Sequence, residues 1–349
     1  MQKLLTIVVP VYKVEPYINK CLDSCLIFKT NEHGEKMLDE EMMDQLEVII
    51  VNDGTPDNSA EMSREYVKRY PQTFRQIDKE NGGHGSAWNV GLKEAIGKYL
   101  RFLDSDDWLT NLDSLMLDLK SCDADVVFNP FDVVDSTGNK SLVPNPVLGE
   151  KDGSSDGGMA YPITREIWMT SGYKYSNVNF WSVTYKTEIL KPLWPLFAEK
   201  VMYDDYILTW APLVYGRTCV ALDYVLYNYL VGRPGNSMTV SVMKKRAISY
   251  DGCMRQYETV RNGILEETVP RELLECIDEM ISNCAKFIFW YEVFLPYKMA
   301  KERLQHLYES YLEGTGFNSA VLIRYLRLPF FFFYWVEHLR YIINEKTSK

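Results

Sequence analysis

Up to Trp108 the chain alternates between two hydrophobic patterns. Short, largely apolar runs at Leu4–Val9, Val48–Val51 and Tyr99–Leu103 have the length and β-branched or aromatic content of buried strands, and Phe74–Ile77 is a weaker strand between the second and the last of them. Between them the apolar positions follow helical spacing: Val14, Tyr17, Ile18, Cys21, Leu22, Cys25 and Leu26, then Met62, Tyr66, Val67 and Tyr70, then Ala87, Val90 and Ala95. Pro10 is predicted to end the first strand, because proline cannot donate to a ladder. Asn31–Asp44 is polar and reads as an exposed insertion. Strand and helix alternating in this way predict parallel βαβ units with right-handed crossovers.

Beyond Asp107 a helix is expected through Leu112, Leu115, Met116 and Leu119. Asp125–Val134 is strand-like, and Asp135–Asp156 is a Gly, Ser, Asn and Pro-rich stretch of turns and loop. Further on, helices are expected near Lys186–Leu190 and Tyr206–Trp210, and a final strand pair at Val220–Leu230. From about residue 242 the pattern is helical only, with Leu273, Ile277, Met280, Ile281, Cys284 and Ile288 on one face and Leu304, Leu307, Tyr308 and Tyr311 on another. A boundary in the loop 231–241 divides the chain into residues 1–235 and 236–349.

Charge narrows the function. The chain has 349 residues, 46% of them hydrophobic, with 38 basic and 48 acidic residues and a net charge of -10. That balance argues against nucleic acid as a partner, which needs a basic footprint. Seven cysteines with no CxxC pair read as reduced thiols rather than a disulfide or zinc framework. No signal peptide or membrane-spanning run is evident, so a cytoplasmic protein is expected, soluble or peripheral on the inner face of the membrane.

Candidate chemistry gathers where strands end. In a parallel sheet all carboxyl ends point one way, so Asp53, after the second strand, and Asp104-Ser105-Asp106-Asp107, after the fourth, can line one crevice. Pro10, Val11 and Tyr12 would form its wall. Carboxylates this close repel unless a cation lies between them, and hard ions such as Mg²⁺ prefer oxygen ligands. The alternative is an acidic N-cap for the helix expected near Thr110. Asp53 is either a turn-former or an acceptor for a nucleotide base. Asn81-Gly82-Gly83-His84-Gly85 opens a helix, where backbone N–H groups can hold an anion; His84 is either structural or a donor to a diphosphate. Asp204-Asp205 precedes an apolar helical run, as a cap or as a general base.

Taken together these motifs resemble the family 2 glycosyltransferases, inverting enzymes of the GT-A fold. The residues concerned are Ile7–Tyr12, Val51–Gly54, Asn81–Gly91, Asp104–Asp106, Tyr203–Asp205 and Arg233–Met238, through most of the first 240 positions. The resemblance implies an α/β, Rossmann-like, mostly parallel nucleotide-sugar-binding domain followed by a helical C-terminal region. It implies a nucleotide-sugar donor, a UDP-sugar, and a glycan or lipid-linked acceptor in bacterial cell-surface polysaccharide synthesis. By position, Pro10, Val11, Tyr12, Glu15, Asp53, Asn81, Gly82, Gly83, His84, Asp104, Ser105 and Arg233 would bind the donor. Asp106 would hold a divalent cation, Mg or Mn, and Asp205, preceded by Asp204, would be the catalytic base. The chain departs from the family where Trp88 replaces a common Arg and where Asp-Asp replaces Glu-Asp at the base.

Two rival readings stand beside this one. A sugar nucleotidyltransferase would want a basic, glycine-rich signature near its first strand, and Pro10–Glu15 offers none. A non-catalytic nucleotide-sugar-binding partner of another transferase has no need of Asp106 and Asp205. The aromatic runs Phe287–Tyr291 and Leu328–Trp335 leave two readings: packing of the helical region onto the catalytic domain, or an interfacial membrane contact with Arg324, Arg327, Lys346 and Lys349 nearby.

Overall fold

The computed structural model describes residues 3–144, 160–169, 179–201, 204–232, 250–292, 295–313, 325 and 327–347. In chain order the strands are β1 (Leu5–Val11), β2 (Phe28–Thr30), β3 (Lys36–Leu38), β4 (Leu46–Asn52), β5 (Phe74–Asp78), β6 (Tyr99–Phe102) and β7 (Trp108–Leu109). They continue as β8 (Val126–Phe128), β9 (Phe131–Val134), β10 (Lys140–Val143), β11 (Tyr161–Pro162), β12 (Val183–Lys186), β13 (Thr218–Ala221) and β14 (Tyr227–Leu230). The main sheet runs β11-β13-β8-β12-β6-β1-β4-β5, and its half β6-β1-β4-β5 is parallel throughout. Every residue of β1 and β4 is buried. That is why these strands read as continuous apolar runs rather than alternating ones. Helices Ile18–Asp23, Ser59–Arg69 and His84–Glu94 make the crossovers. The last sits so close to β1 that a Cβ at Gly91 would lie 2.1 Å from a Val8 methyl.

Strand β1 does not stop at Pro10 but continues to Val11, with Pro10 opposite Val51. The hydrogen-bond alternation explains this. The Val8 carbonyl accepts from Leu103 and the Val11 carbonyl from Asp53, so Pro10's nitrogen turns toward the β6 side, where pairing ends at Val8 opposite Phe102. No ladder bond is lost there. The polar stretch 31–44 holds the turn and second strand of the exposed hairpin β2–β3, whose first strand precedes it, and all but the last residue of the helix Glu40–Gln45.

The second half of the sheet is mixed, because β12 runs antiparallel to both β6 and β8. The stretch 125–134 is two strands rather than one. Strand β8 joins the main sheet and β9 the smaller sheet β10-β9-β14-β7, on either side of Asn129-Pro130. Val220–Leu230 divides in the same way, so β13 and β14 lie in different sheets and do not pair. The helix near 186–190 shortens to Thr187–Leu190 and follows β12, a strand the pattern did not announce.

The C-terminal helices are Tyr250–Asn262, Arg271–Glu292, Tyr297–Leu307 and Phe330–Thr347. The face carrying Leu273, Ile277, Met280, Ile281 and Cys284 is buried in one core that is continuous with the sheet. Arg165 pairs with Glu279, and its backbone N–H donates to Glu272, across that contact. The loop expected at the domain boundary lies outside the described residues from 233 onward, as do Arg233–Met238.

Candidate active site

The glycine loop is the hub of the crevice. It leaves β5 and enters helix His84–Glu94, and Gly83 turns with a φ of 90° that favours glycine. Asp53 follows β4 and is buried, with both carboxylate oxygens occupied. Oδ1 accepts from Gly82 N at 2.9 Å and from Lys79 Nζ at 2.7 Å, and Oδ2 accepts from Gly83 N at 2.8 Å. Asn81 Nδ2 donates to the Asp53 carbonyl at 2.9 Å. Two of the amides expected to face a diphosphate therefore hold Asp53 instead. From the other side, Lys200 N donates to the Gly82 carbonyl at 2.7 Å.

His84, the first helical residue, joins two acidic groups that are distant in sequence. Its Nε2 lies 2.9 Å from Asp104 Oδ1, and its Nδ1 lies 3.3 Å from both oxygens of Asp204. The ring also rests on Trp88, 4.1 Å between centroids. Burial works to lower the His84 pKa, but the Asp204 and Asp104 charges together raise it well above the ordinary histidine value. The imidazole is thus a cation held between two carboxylates. Gly85 lets Asp204 approach: a Cβ there would lie 2.4 Å from Asp204 Oδ2 and 2.4 Å from the Ala198 carbonyl.

Asp104, Ser105, Asp106 and Asp107 form a tight turn, closed by Asp107 N donating to the Asp104 carbonyl at 3.0 Å. The turn leads into β7, and the next helix starts at Leu112 with Asn111 at its cap. The acidic cluster is therefore not a helix cap. Asp107 is buried and fully engaged: Oδ2 accepts from the Tyr227 hydroxyl at 2.6 Å and Oδ1 from Leu230 N at 2.8 Å. Burial, with the Asp106 and Asp104 charges beside it, pushes its carboxyl well above the usual range. Asp104 and Asp106 are half-buried, and Ser105 is buried between them.

Asp204–Thr209 forms a 3₁₀ helix rather than the expected α-helix from Tyr206. Asp204 is buried against His84, while Asp205 is half-buried. Burial, then the Asp204 charge, raise the Asp205 carboxyl to about 7, against the opposing His84 charge. The loop after β1 completes the wall. Pro10 and Val11 are buried and Tyr12 is exposed. Glu15 accepts from Asn58 Nδ2 at 3.0 Å, and Lys13 N donates to Thr55 Oγ1 at 2.8 Å, tying this loop to the one after β4. The structure thus brings together Asp53, the glycine loop, Asp104–Asp107 and Asp204-Asp205. Glu15 braces the wall, and Arg233 lies outside the described residues.

A sequence model described as "Glycosyl transferase family 2" matches residues 6–184. The chain belongs to this family. Its relatives include glycosyltransferase EpsJ of Bacillus subtilis, 32% identical over 216 residues, which cover 59% of this chain and 54% of EpsJ. The chain thus spans about half the length of that relative. Among solved structures, S. aureus TarS 1–349 in complex with UDP-GlcNAc superposes with a TM-score of 0.52 at 19% identity, covering 90% of this chain and 93% of TarS. The mannosyltransferase PcManGT of Pyrobaculum calidifontis, in complex with GDP-Man and Mn²⁺, gives 0.50 at 17% identity, covering 89% and 76%. These likenesses establish the GT-A fold.

Trp88, where family 2 members often carry Arg, is buried among His84, Phe102, Phe180 and Phe197 and does not reach the crevice. The acidic turn suits a hard divalent cation. Asp104, Asp106 and Asp107 each offer an oxygen, all within 4.8 Å of one another. Three residues around this turn were not foreseen from the sequence. Tyr227 lies 120 residues from the Asp107 it secures and carries no local signal. Leu230 contributes only its backbone. Arg101 had a signal, as the single charge in the apolar run of β6. It is fully buried, donates to Thr184 Oγ1 at 2.9 Å and to the Trp181 carbonyl, and lies 5.6 Å from the Tyr227 ring centre. Burial lowers its pKa to about 10, which leaves it charged at neutral pH behind the acidic turn.

Proposed function

We propose that this protein transfers a sugar from a nucleoside-diphosphate sugar, a UDP-sugar, to a hydroxyl group of a glycan or lipid-linked acceptor, with inversion at the anomeric carbon. The observation that carries the reading is the Asp205 carboxyl. It is raised to about 7 and coupled through Asp204 and His84 to the acidic turn. A base poised near the working pH combines a usable deprotonated fraction with a useful driving force for proton transfer.

In this reading Asp205 takes the proton of the acceptor hydroxyl. The oxygen forms its bond to the anomeric carbon as the bond from that carbon to the diphosphate oxygen breaks on the opposite face. Asp53 contacts the nucleotide base through the lone pairs its loop bonds leave over, and Asp104 contacts the ribose side of the donor. Asp104 and Asp106 would hold Mg²⁺ or Mn²⁺, which when bound neutralises the charge gathering on the diphosphate. His84 keeps Asp204 and Asp104 at fixed separation, so the base and the donor site share one frame.

The test is Asp205→Asn, with donor binding and transfer measured separately. Donor affinity should persist while transfer falls by about 10²–10⁴-fold, the usual worth of a positioned base. Full transfer by Asp205→Asn would remove the assignment. A non-catalytic donor-binding partner would instead bind donor and show no transfer even in the wild type. Thermal stabilisation across UDP- and GDP-sugars, with and without Mn²⁺, identifies the donor, because a ligand that binds only the folded state raises its stability.

A further inference from the structure

The C-terminal helix Phe330–Thr347 has two dissimilar sides. Phe333, Tyr334 and Glu337 are buried, and the Tyr334 hydroxyl donates to the Leu295 carbonyl at 2.9 Å. Tyr297 packs against Phe330, Phe331 and Tyr334. The helix is therefore docked firmly by its inner side. On the outer side Phe331 is 53%, Phe332 57%, Trp335 44% and Leu339 54% exposed, with Val336 and the preceding Leu328 exposed as well. At 3.6 residues per turn, positions 331, 332, 335, 336 and 339 form one unbroken arc of roughly 140°. Large aromatic side chains gathered in one exposed patch mark a contact surface.

We infer that this face is an interfacial contact for an anionic lipid surface. The charges select the occupant. The chain carries a net charge of -10, yet the exposed charged residues of the described stretch 327–340 are Arg327 and Arg340, both basic. The one carboxylate of that stretch, Glu337, is turned inward. On the neighbouring helix Lys298 and Lys301 are exposed beside Tyr297, with Glu302 the exposed carboxylate among them. An apolar face of Phe, Trp and Leu edged by basic side chains is the composition of a helix lying in the plane of a bilayer, its rings at headgroup depth. Among the described residues no helix is long and apolar enough to cross a membrane, so the contact is made by lying on the surface. The inference is independent of the transferase reading, since its test measures binding alone.

The test is flotation of the full chain with vesicles of phosphatidylcholine alone and of phosphatidylcholine mixed with phosphatidylglycerol. The wild type should be recovered with the anionic vesicles at least ~10-fold more than with the neutral ones, as expected for several basic side chains near a charged surface. The triple variant Phe331→Ser/Phe332→Ser/Trp335→Ser, with circular dichroism as the check on folding, should lose that recovery. The variant Arg327→Glu/Arg340→Glu, which leaves the aromatic face intact, should lose the preference for anionic vesicles. Equal recovery of the wild type with and without vesicles would overturn the inference. So would flotation of both variants at the wild-type level. A wild-type dimer that the serine variant converts to monomer, without vesicle binding, would assign the face to a second copy of the chain instead.

Discussion

The two acidic clusters of the crevice are built differently. At Asp104–Asp107 the carboxylate secured by the protein is the last, held by Tyr227 and Leu230, and the two that precede it are half-buried with oxygens converging within 4.8 Å. At Asp204-Asp205 the secured carboxylate is the first, held by His84, and its successor is raised to about 7. The first cluster concentrates negative charge that a divalent cation would relieve. At the second, the His84 imidazole, which also reaches Asp104, lies against the first carboxylate, and the second carboxyl is raised by burial and the Asp204 charge and held down by His84. A run of aspartates is thus not one kind of site. What it can do depends on which member the fold ties down.

The sharpest way to break the contrast is to remove the presented carboxylate from each cluster. Asp205→Asn should cost transfer and spare donor binding, as given above. Asp106→Ala should weaken metal-dependent donor binding by at least ~10-fold, since even indirect support of a metal ligand is worth about 10–100-fold. A calorimetric titration of donor with and without Mn²⁺ reads this, and an unchanged metal dependence would separate Asp106 from the cation. Tyr227→Phe removes the hydroxyl donor of the buried Asp107 and should destabilise the fold by about 1–3 kcal/mol, the cost of an unsatisfied buried acceptor. Thermal unfolding measures it.

The smallest effect concerns pH. With Asp205 as the proposed base, active only when deprotonated, transfer should rise with pH through a limb near 7, the value to which its carboxyl is raised. The His84 charge holds that carboxyl down, so His84→Gln should move the limb to higher pH. A pH–rate profile of the two proteins compares them directly. A limb that does not move would show that the second cluster is not tuned by His84.

The parallel half of the sheet was legible because strands buried on both faces are mostly apolar, and the few polar side chains they hold, such as Thr6 and Glu47, pair with each other. Leu5–Val11 and Leu46–Asn52 announce themselves, and with them the shared edge that gathers Asp53 and Asp104. Asp53 and Asp104–Asp107 were legible for the same reason, being charges placed directly after such runs, whereas Asp204-Asp205 stood out as an acidic pair directly before an apolar run. Less was readable where partners are distant. Nothing near Asp107 points to Tyr227, and nothing near Asp204 shows that His84 would reach it across 120 residues. Strand β12 was hidden because its four residues carry too little periodicity. The split of 125–134 between two sheets turns on tertiary pairing that no local pattern encodes. The aromatic tail has two sides, with Phe333 and Tyr334 packed inward within the helical region and Phe331, Phe332 and Trp335 facing out.

The hairpin β2–β3 hangs from the fold by a narrow neck. Where it departs and returns, Asp39 N already donates to the Ile27 carbonyl at 2.9 Å, and the strands beyond are almost wholly exposed. Closing a loop across ends that are already joined costs little. Residues 28–38 can therefore be exchanged for a short turn, or lengthened to carry a fluorophore or an affinity handle, while β1 and β4 keep their pairing. The hairpin is the natural site for instrumenting this protein.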